Sequence, residues 1–137
     1  MKLVLDASVA LAWCFEDESS DYTEGLLDEL LETKVAAPEL WALEVTNGLL
    51  VAVRRKRIDE EQLTGALEFL DGLPIELTPT PKGRAMGRIL EIAAESGLTI
   101  YDATYLELAE RLDLPLAALD GALRRAASTE GRLYESA

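Results

Sequence analysis

Short apolar runs alternate with helix-forming segments along this chain, and two of these runs end directly at an aspartate. Leu3-Val4-Leu5 leads into Asp6, and Leu116-Ala117-Ala118-Leu119 leads into Asp120. Short strands separated by helices imply right-handed crossovers and a parallel sheet. Ligands of such sheets bind beyond the carboxyl ends of the strands, where the strand order reverses. The pattern therefore predicts both aspartates at the edge of the sheet that carries function.

The rest of the chain extends this pattern to a three-layer α/β/α sandwich around a central, mainly parallel sheet of four or five strands. The length of 137 residues, 49% of them hydrophobic, suits a single domain spanning 1–137. Further strands are predicted at 34–37 and 74–78, with 132–134 as a last edge strand. Helices are predicted from Ser8 as N-cap to Phe15, from a capping box of Asp21 and Glu24, from Pro38 to Lys56, from a capping box of Asp59 and Gln62 to Gly72, from Thr80-Pro81 to Gly97, and from Thr99 onward.

The chain has no histidine, which excludes a Ser-His-Asp triad, a histidine general base and a His-ligated zinc site. Its one cysteine, Cys14, lies in an apolar run and is predicted to be a buried small hydrophobic residue rather than a nucleophile. No apolar stretch is long enough to span a bilayer and no signal peptide is apparent, so we expect a cytoplasmic protein without a membrane partner. Because histidine is absent and Cys14 is expected to be buried, any chemistry must depend on carboxylates and hard metal ions.

The charge balance of 13 basic and 26 acidic residues gives a net charge of −13. Such a surface repels nucleic acid, although a divalent ion can reverse the sign locally. The one concentrated basic run is Arg54-Arg55-Lys56-Arg57, for which favourable placement at a helix C-terminus and RNA contact both remain open. Arg124 and Arg125 follow Asp120 and are better placed to contact a phosphate.

Two more acidic residues lie where a carboxylate needs an explanation. Glu44 and Asn47 share the apolar stripe of their predicted helix, so Glu44 requires a partner, a proton or a metal unless it reaches water at the edge of the stripe. Asp102 lies in the first turn of its helix on the same face as Tyr105, where it also fits the third position of a capping box with Thr99.

Asp6 and Asp120 likewise have an alternative interpretation as helix caps or turn residues. If all four acids converge, they cannot all remain ionised without a counter-charge, because like charges raise each other's pKa. An oxygen-only site favours Mg²⁺ or Mn²⁺ and the hydrolysis of a phosphodiester.

Four motifs in order carry a resemblance to a known family: Leu-Asp6-Ala-Ser8, Pro-Glu-Leu-Trp-Ala-Leu-Glu44-Val-Thr-Asn47, Tyr-Asp102-Ala-Thr-Tyr and Leu-Asp120-Gly-Ala-Leu. Together they resemble the PIN domain, and most closely the VapC-type toxins of toxin–antitoxin modules. The resemblance covers essentially the whole chain. It implies a Mg²⁺- or Mn²⁺-dependent endoribonuclease that cuts RNA, is inhibited by a cognate antitoxin and forms a homodimer.

The resemblance also assigns residues. The family's four acidic positions fall on Asp6, Glu44, Asp102 and Asp120, its small hydroxyl residue on Ser8 and a common polar neighbour on Asn47. Many relatives carry Thr or Ser where this chain has Ala118, which leaves direct metal binding by Asp120 open. Asp6 and Asp102 are the expected principal ligands.

Two other functions remain in competition with a nuclease. A non-catalytic binding module on the same scaffold would direct its acids at a basic partner. A receiver-like phosphoryl-transfer domain also places aspartates at strand ends, but it needs an acceptor aspartate on a middle strand and a late lysine. Here Thr78 ends the middle strand and no lysine follows Lys82.

Overall fold

A sheet of four parallel strands forms the centre of the computed structural model, which describes residues 1–135. The strand order is β3-β2-β1-β4, so the direction of the connections reverses between β1 and β4. Val4 in β1 pairs with Ala36 on one side and Leu116 on the other. The carboxyl ends of β1 and β4 thus flank the switch point at which ligands of open α/β sheets bind. The strands are β1 (Val4–Leu5), β2 (Val35–Pro38), β3 (Ile75–Thr78) and β4 (Leu116–Ala117).

Helices cover both faces of this sheet, which confirms the predicted three-layer α/β/α architecture. The connections from β1 to β2 to β3 run in one direction, so right-handed crossovers place α1 to α4 on one face. The return from β3 to β4 places α5 to α7 on the other, and α7 packs against β1, β2 and β4. The helices are α1 (Ala7–Cys14), α2 (Asp21–Leu30), α3 (Leu40–Arg54), α4 (Glu60–Asp71), α5 (Lys82–Ala85), α6 (Arg88–Ser96), α7 (Ile100–Leu112) and α8 (Gly121–Thr129), with a 3₁₀ turn at Glu16–Glu18.

Burial follows from this layering. Every residue of β1, β2 and β4 is buried, as expected for parallel strands covered on both faces, whereas the edge strand β3 is partly exposed. The predicted edge strand at 132–134 is reduced to one parallel bridge between Leu133 and Leu116. Tyr134 N donates to Leu116 O at 2.8 Å beside that bridge.

Several helix starts differ from the prediction by one or two residues. Asp6, not Ser8, is the N-cap of α1, because the Asp6 carboxylate accepts a hydrogen bond from Ser8 N. The capping box of α2 is formed by Ser20 and Thr23 rather than by Asp21 and Glu24. Pro38 does not open a helix; it is the last residue of β2, and α3 begins at Leu40.

The predicted helix from Thr80-Pro81 to Gly97 is broken into α5 and α6 at Gly87. A Cβ on Gly87 would lie 2.7 Å from Gly83 O, so the backbone at this break approaches too closely for any residue but glycine. Gly97 ends α6 in the left-handed conformation with φ of 67°, as predicted for a C-terminal glycine.

Two predictions of absence concern membranes and thiol chemistry. Within residues 1–135, none of the helices combines the length and apolar character needed to cross a bilayer. Cys14 is partly buried rather than fully buried as predicted, and it packs against the core. Burial raises the pKa of its thiol to about 11, which disfavours the thiolate.

Candidate metal and active site

An open cleft of about 350 Å³ lies beyond the carboxyl ends of β1 and β4. The fold brings all four predicted acids to it, from four different elements: the end of β1, the middle of α3, the first turn of α7 and the N-cap of α8. The predicted polar residues Ser8 and Asn47 also line it. The complete lining is Asp6, Ala7, Ser8, Leu11, Glu44, Asn47, Gly48, Asp102 and Asp120.

Asp6 is the most deeply buried of the four acids, with 5% of its surface exposed. It follows β1 directly and caps α1, where Ser8 N donates to Asp6 Oδ2 at 3.2 Å and the Ser8 hydroxyl donates to the same oxygen. Burial raises the pKa of Asp6 to about 6; the Ser8 hydrogen bonds oppose this rise, and the charges of Glu44 and Asp102 add to it. The Ser8 hydrogen bonds therefore offset only part of the cost of burying this negative charge.

The Ser8 hydroxyl connects two of the acids. It donates to Asp6 and accepts a hydrogen bond from Leu119 N at 3.1 Å, which fixes the chain one residue before Asp120. Asp120 is exposed and caps α8, accepting from Leu123 N at 3.0 Å. The structure thus gives Ser8 a contact with the loop that leads to Asp120, although Ala118 supplies no hydroxyl there.

Glu44 points toward the cleft instead of reaching out along the surface of its helix. Tyr105 Oη donates to Glu44 Oε1 at 2.6 Å, and the Tyr105 side chain is fully buried. Burial raises the pKa of Glu44; the hydrogen bond from Tyr105 opposes the rise, and the charge of Asp102 adds to it. Tyr105 was not among the predicted site residues, although its position on the face of Asp102 was visible in the helical periodicity.

The carboxylate of Asp102 interacts electrostatically with each of the other three acids. Its backbone amide donates to Thr99 Oγ1 at 3.1 Å, which confirms Thr99 as the N-cap of α7. Burial raises the pKa of Asp102, the charge of Asp120 adds to the rise, and Thr99 opposes it. The charge of Asp102 in turn raises the pKa of both Asp6 and Glu44.

No cation neutralises this group of acids within residues 1–135. No Lys or Arg nitrogen lies within 4.0 Å of any of the four carboxylates. Elsewhere the chain pairs its acids readily: Arg88 Nε lies 2.9 Å from Glu110, and Arg57 Nη2 lies 2.7 Å from Asp17. The cleft is therefore a local concentration of unpaired negative charge.

The donor set suits a hard divalent ion held partly by water. In the part of the chain that the structure describes, no three Asp, Glu, Cys or His side chains form a ready-made metal cluster. Asp6, Glu44 and Asp120 each have an oxygen engaged by a protein donor. Mg²⁺ keeps several waters and commonly binds proteins through one or two carboxylates, so an open, oxygen-only site of this kind is chemically compatible with Mg²⁺ or Mn²⁺.

The two arginines after Asp120 lie outside the cleft lining. Arg124 Nη1 donates to Ala118 O at 2.8 Å and its guanidinium covers the ring of Tyr22 at 4.9 Å, so Arg124 holds α8 in place. Arg125 is exposed and lines a neighbouring cavity of about 540 Å³ between α6 and α8. Its Nη1 lies 3.2 Å from the position of a Cβ on Gly121, directly after Asp120.

The basic run 54–57 at the end of α3 has two parts: Arg57 is engaged by neighbouring side chains, and the other three residues lie at the helix C-terminus. Arg57 is engaged by Asp17 and Glu18 and covers the ring of Phe15 at 4.0 Å. Residues 54–56 are exposed at the C-terminus of α3, about three turns from Glu44, where their charge is favourable to the helix dipole.

Comparison with known proteins identifies the class that this fold and cleft define. The family model of the PIN domain matches residues 3–128, and the chain belongs to the PIN domain family.

Within that family, the chain is similar to proteins named ribonuclease VapC. It is 32% identical over 120 residues to ribonuclease VapC3 of Pyrobaculum aerophilum, covering 88% of this chain and 90% of that protein. It is 33% identical over 126 residues to ribonuclease VapC1 of Mycobacterium tuberculosis, covering 90% and 89%.

Two solved structures share the fold. The crystal structure of PAE2754 from Pyrobaculum aerophilum matches with a TM-score of 0.66 and 23% identity, covering 92% of this chain and 84% of that one. The structure of VapBC2 from Rickettsia felis bound to a promoter DNA fragment matches with a TM-score of 0.64 and 16% identity, covering 92% and 93%.

Proposed function

We propose that this chain is a Mg²⁺- or Mn²⁺-dependent endoribonuclease that hydrolyses RNA phosphodiester bonds at the acidic cleft. The observation that carries the proposal is the set of four carboxylates in one cleft without a neighbouring cation among residues 1–135. Burying and clustering such charges costs stability, and a bound divalent ion offsets that cost. The similarity to proteins named ribonuclease supports RNA as the substrate.

In this proposal Asp6 and Asp102 are the principal metal ligands, and Glu44 and Asp120 complete the acidic site. When bound, the ion supplies a water that is nucleophilic at neutral pH and neutralises charge on the phosphate. It also reverses the local sign of a chain with a net charge of −13, so that RNA can approach.

The chain's own residues position the acids and the substrate. Ser8 holds Asp6 and the loop before Asp120 in a fixed relation. Asn47 is exposed on the cleft wall, where its amide can contact the RNA. Arg125 is the arginine proposed to meet a phosphate beside Asp120, because Arg124 is engaged by Ala118 and Tyr22.

The proposed biological role is that of a toxin neutralised by a cognate antitoxin, acting in the cytoplasm as a homodimer. The names of the similar ribonucleases and the VapBC2 neighbour support a protein partner.

A non-catalytic PIN-scaffold module that binds a basic partner through its acids is the second candidate. It predicts partner binding that is insensitive to chelator and no cleavage at any metal concentration. The receiver-like alternative is set aside, because the PIN domain model matches nearly the whole chain.

A cleavage assay on structured RNA with matched Asp→Asn variants tests the proposal. We expect wild-type cleavage in Mn²⁺ or Mg²⁺, its loss in EDTA, and a decrease of at least about a hundredfold in Asp102→Asn. Asp113→Asn is the control: it makes the same change at the other end of α7, at a residue that is 91% exposed and paired with Arg132. Equal activity in wild type and Asp102→Asn would contradict the proposal.

A further inference from the structure

Tyr105 lies beneath the acidic cleft, where it links the two helical layers of the domain. Tyr105 lies on α7 with its side chain fully buried, and its hydroxyl donates to Oε1 of Glu44 on α3 at 2.6 Å. Because α3 and α7 cover opposite faces of the sheet, this hydrogen bond crosses beyond the carboxyl edge of the strands. The two residues are 61 positions apart in the sequence.

The bond constrains Glu44 more than it constrains Tyr105. A phenol with 0% exposure has no access to water, so losing its acceptor would leave a buried donor unsatisfied. Glu44 is half-buried and would otherwise be able to extend into solvent. The buried phenol therefore holds the carboxylate over the cleft.

A tyrosine differs from a lysine or arginine in what it does to a carboxylate. A phenol is neutral at pH 7, so Tyr105 donates its hydrogen bond without bringing a positive charge to Glu44. A neutral donor orients the carboxylate but does not cancel its charge. Oε1 is engaged by the phenol, and Oε2 accepts no hydrogen bond from residues 1–135.

We propose that Tyr105 is a positioning residue that fixes Glu44 Oε2 toward the divalent ion. The inference rests on the metal site of the proposed function and adds to it a residue that is neither a ligand nor in contact with substrate. Groups that orient metal ligands through hydrogen bonds typically change metal affinity or activity by about 10- to 100-fold when removed. Tyr105 has the position, the burial and the donor geometry of such a group.

Calorimetric titration of Mn²⁺ into wild type, Tyr105→Phe and Tyr22→Phe tests this inference. Phenylalanine keeps the buried ring and removes only the hydroxyl. Tyr22→Phe is the matched control: it keeps the ring on which Arg124 packs and removes only a hydroxyl that donates to Tyr134 O at 2.8 Å, and Tyr22 is not part of the cleft lining. We expect Mn²⁺ to bind Tyr105→Phe about 10- to 100-fold more weakly than wild type, and Tyr22→Phe to bind it as wild type does.

A double-mutant cycle with Glu44→Gln separates positioning from a general packing effect. If Tyr105 acts through Glu44, then Tyr105→Phe/Glu44→Gln binds Mn²⁺ with the affinity of Glu44→Gln alone. This comparison also applies if Tyr105→Phe alone folds poorly, because the double variant leaves no unpaired carboxylate.

Each outcome of this experiment has one meaning. A folded Tyr105→Phe with wild-type Mn²⁺ affinity overturns the inference, as does a further loss of affinity in the double variant. If wild type binds Mn²⁺ but cleaves no RNA, the proposed ribonuclease activity is wrong. The Mn²⁺ affinities of the variants still test the role of Tyr105 in that case. Wild type that binds no Mn²⁺ overturns both.

Discussion

Burial of the Asp6 carboxylate is unfavourable for folding, whereas the proposed function requires this carboxylate to be ionised. Its side chain is 5% exposed, it follows β1 directly, and the charges of Glu44 and Asp102 act on it. With a folded pKa of about 6, it is ionised at neutral pH in surroundings that disfavour the charge. Buried residues of this kind are typical of functional sites.

We predict that Asp6→Asn stabilises the metal-free protein at neutral pH. A carboxyl whose pKa is higher in the folded than in the unfolded state binds its proton more tightly when folded, so stability is lost as pH rises from about 4 to above 6. A tenfold difference in proton affinity between the two states corresponds to about 1.4 kcal/mol, which gives a gain of about 1–3 kcal/mol for the variant at pH 7.5.

Urea unfolding in EDTA at pH 5.0 and pH 7.5 measures this effect. Asparagine caps helices as well as aspartate does, so the start of α1 is retained. The advantage of Asp6→Asn over wild type should be larger at pH 7.5 than at pH 5.0. A difference in stability that does not change with pH would contradict the account of Asp6.

At the level of helices and strands, periodicity predicted some shared faces but not always which face is buried. The 3.6-residue repeat placed Glu44 and Asn47 on one stripe of α3, and both line the cleft. That stripe is not the core face, because Leu43 is 71% exposed and the buried residues of α3 are Trp41, Val45, Leu49 and Ala52. The capping box of Asp59 and Gln62 forms as predicted because both hydrogen bonds are local. The start of α2 was misplaced by one residue because Ser20 and Asp21 are both good caps and the chain geometry selects Ser20.

The break between α5 and α6 could not be located from propensity, because the predicted helix contains two internal glycines, Gly83 and Gly87, and an isolated glycine in a helical pattern is usually tolerated. We predict that Gly87→Ala destabilises the protein by about 1–3 kcal/mol, since its Cβ would lie 2.7 Å from Gly83 O. Gly83→Ala, where no atom lies within 4 Å, should be neutral or stabilising by up to about 1 kcal/mol. Thermal unfolding of the two variants compares these effects, and equal behaviour would show that the close approach at Gly87 is not limiting.

For the molecule as a whole, the sequence predicted the sheet, the layers and the residues that converge at its edge. Alternation of strands and helices was enough for the sheet, the layers, Asp6 and Asp120, because parallel topology brings carboxyl ends of strands to one side. Glu44 and Asp102 lie on helices, and their placement at the site followed from helical periodicity and from the family resemblance. The hydrogen bonds within the site were not predictable. Tyr105–Glu44 and Ser8–Leu119 join positions 61 and 111 residues apart, and only the packing of helices on the sheet decides such pairs.

The central claim is that the cleft binds a hard divalent ion because no Lys or Arg among residues 1–135 pairs with its carboxylates. Calorimetric titration of Mn²⁺ at pH 7.5 into wild type, Asp6→Asn and Asp113→Asn tests it most directly. We predict binding to wild type and Asp113→Asn, and binding at least about tenfold weaker to Asp6→Asn. Mn²⁺ binding of equal strength in wild type and Asp6→Asn, or its absence in wild type, would contradict the claim.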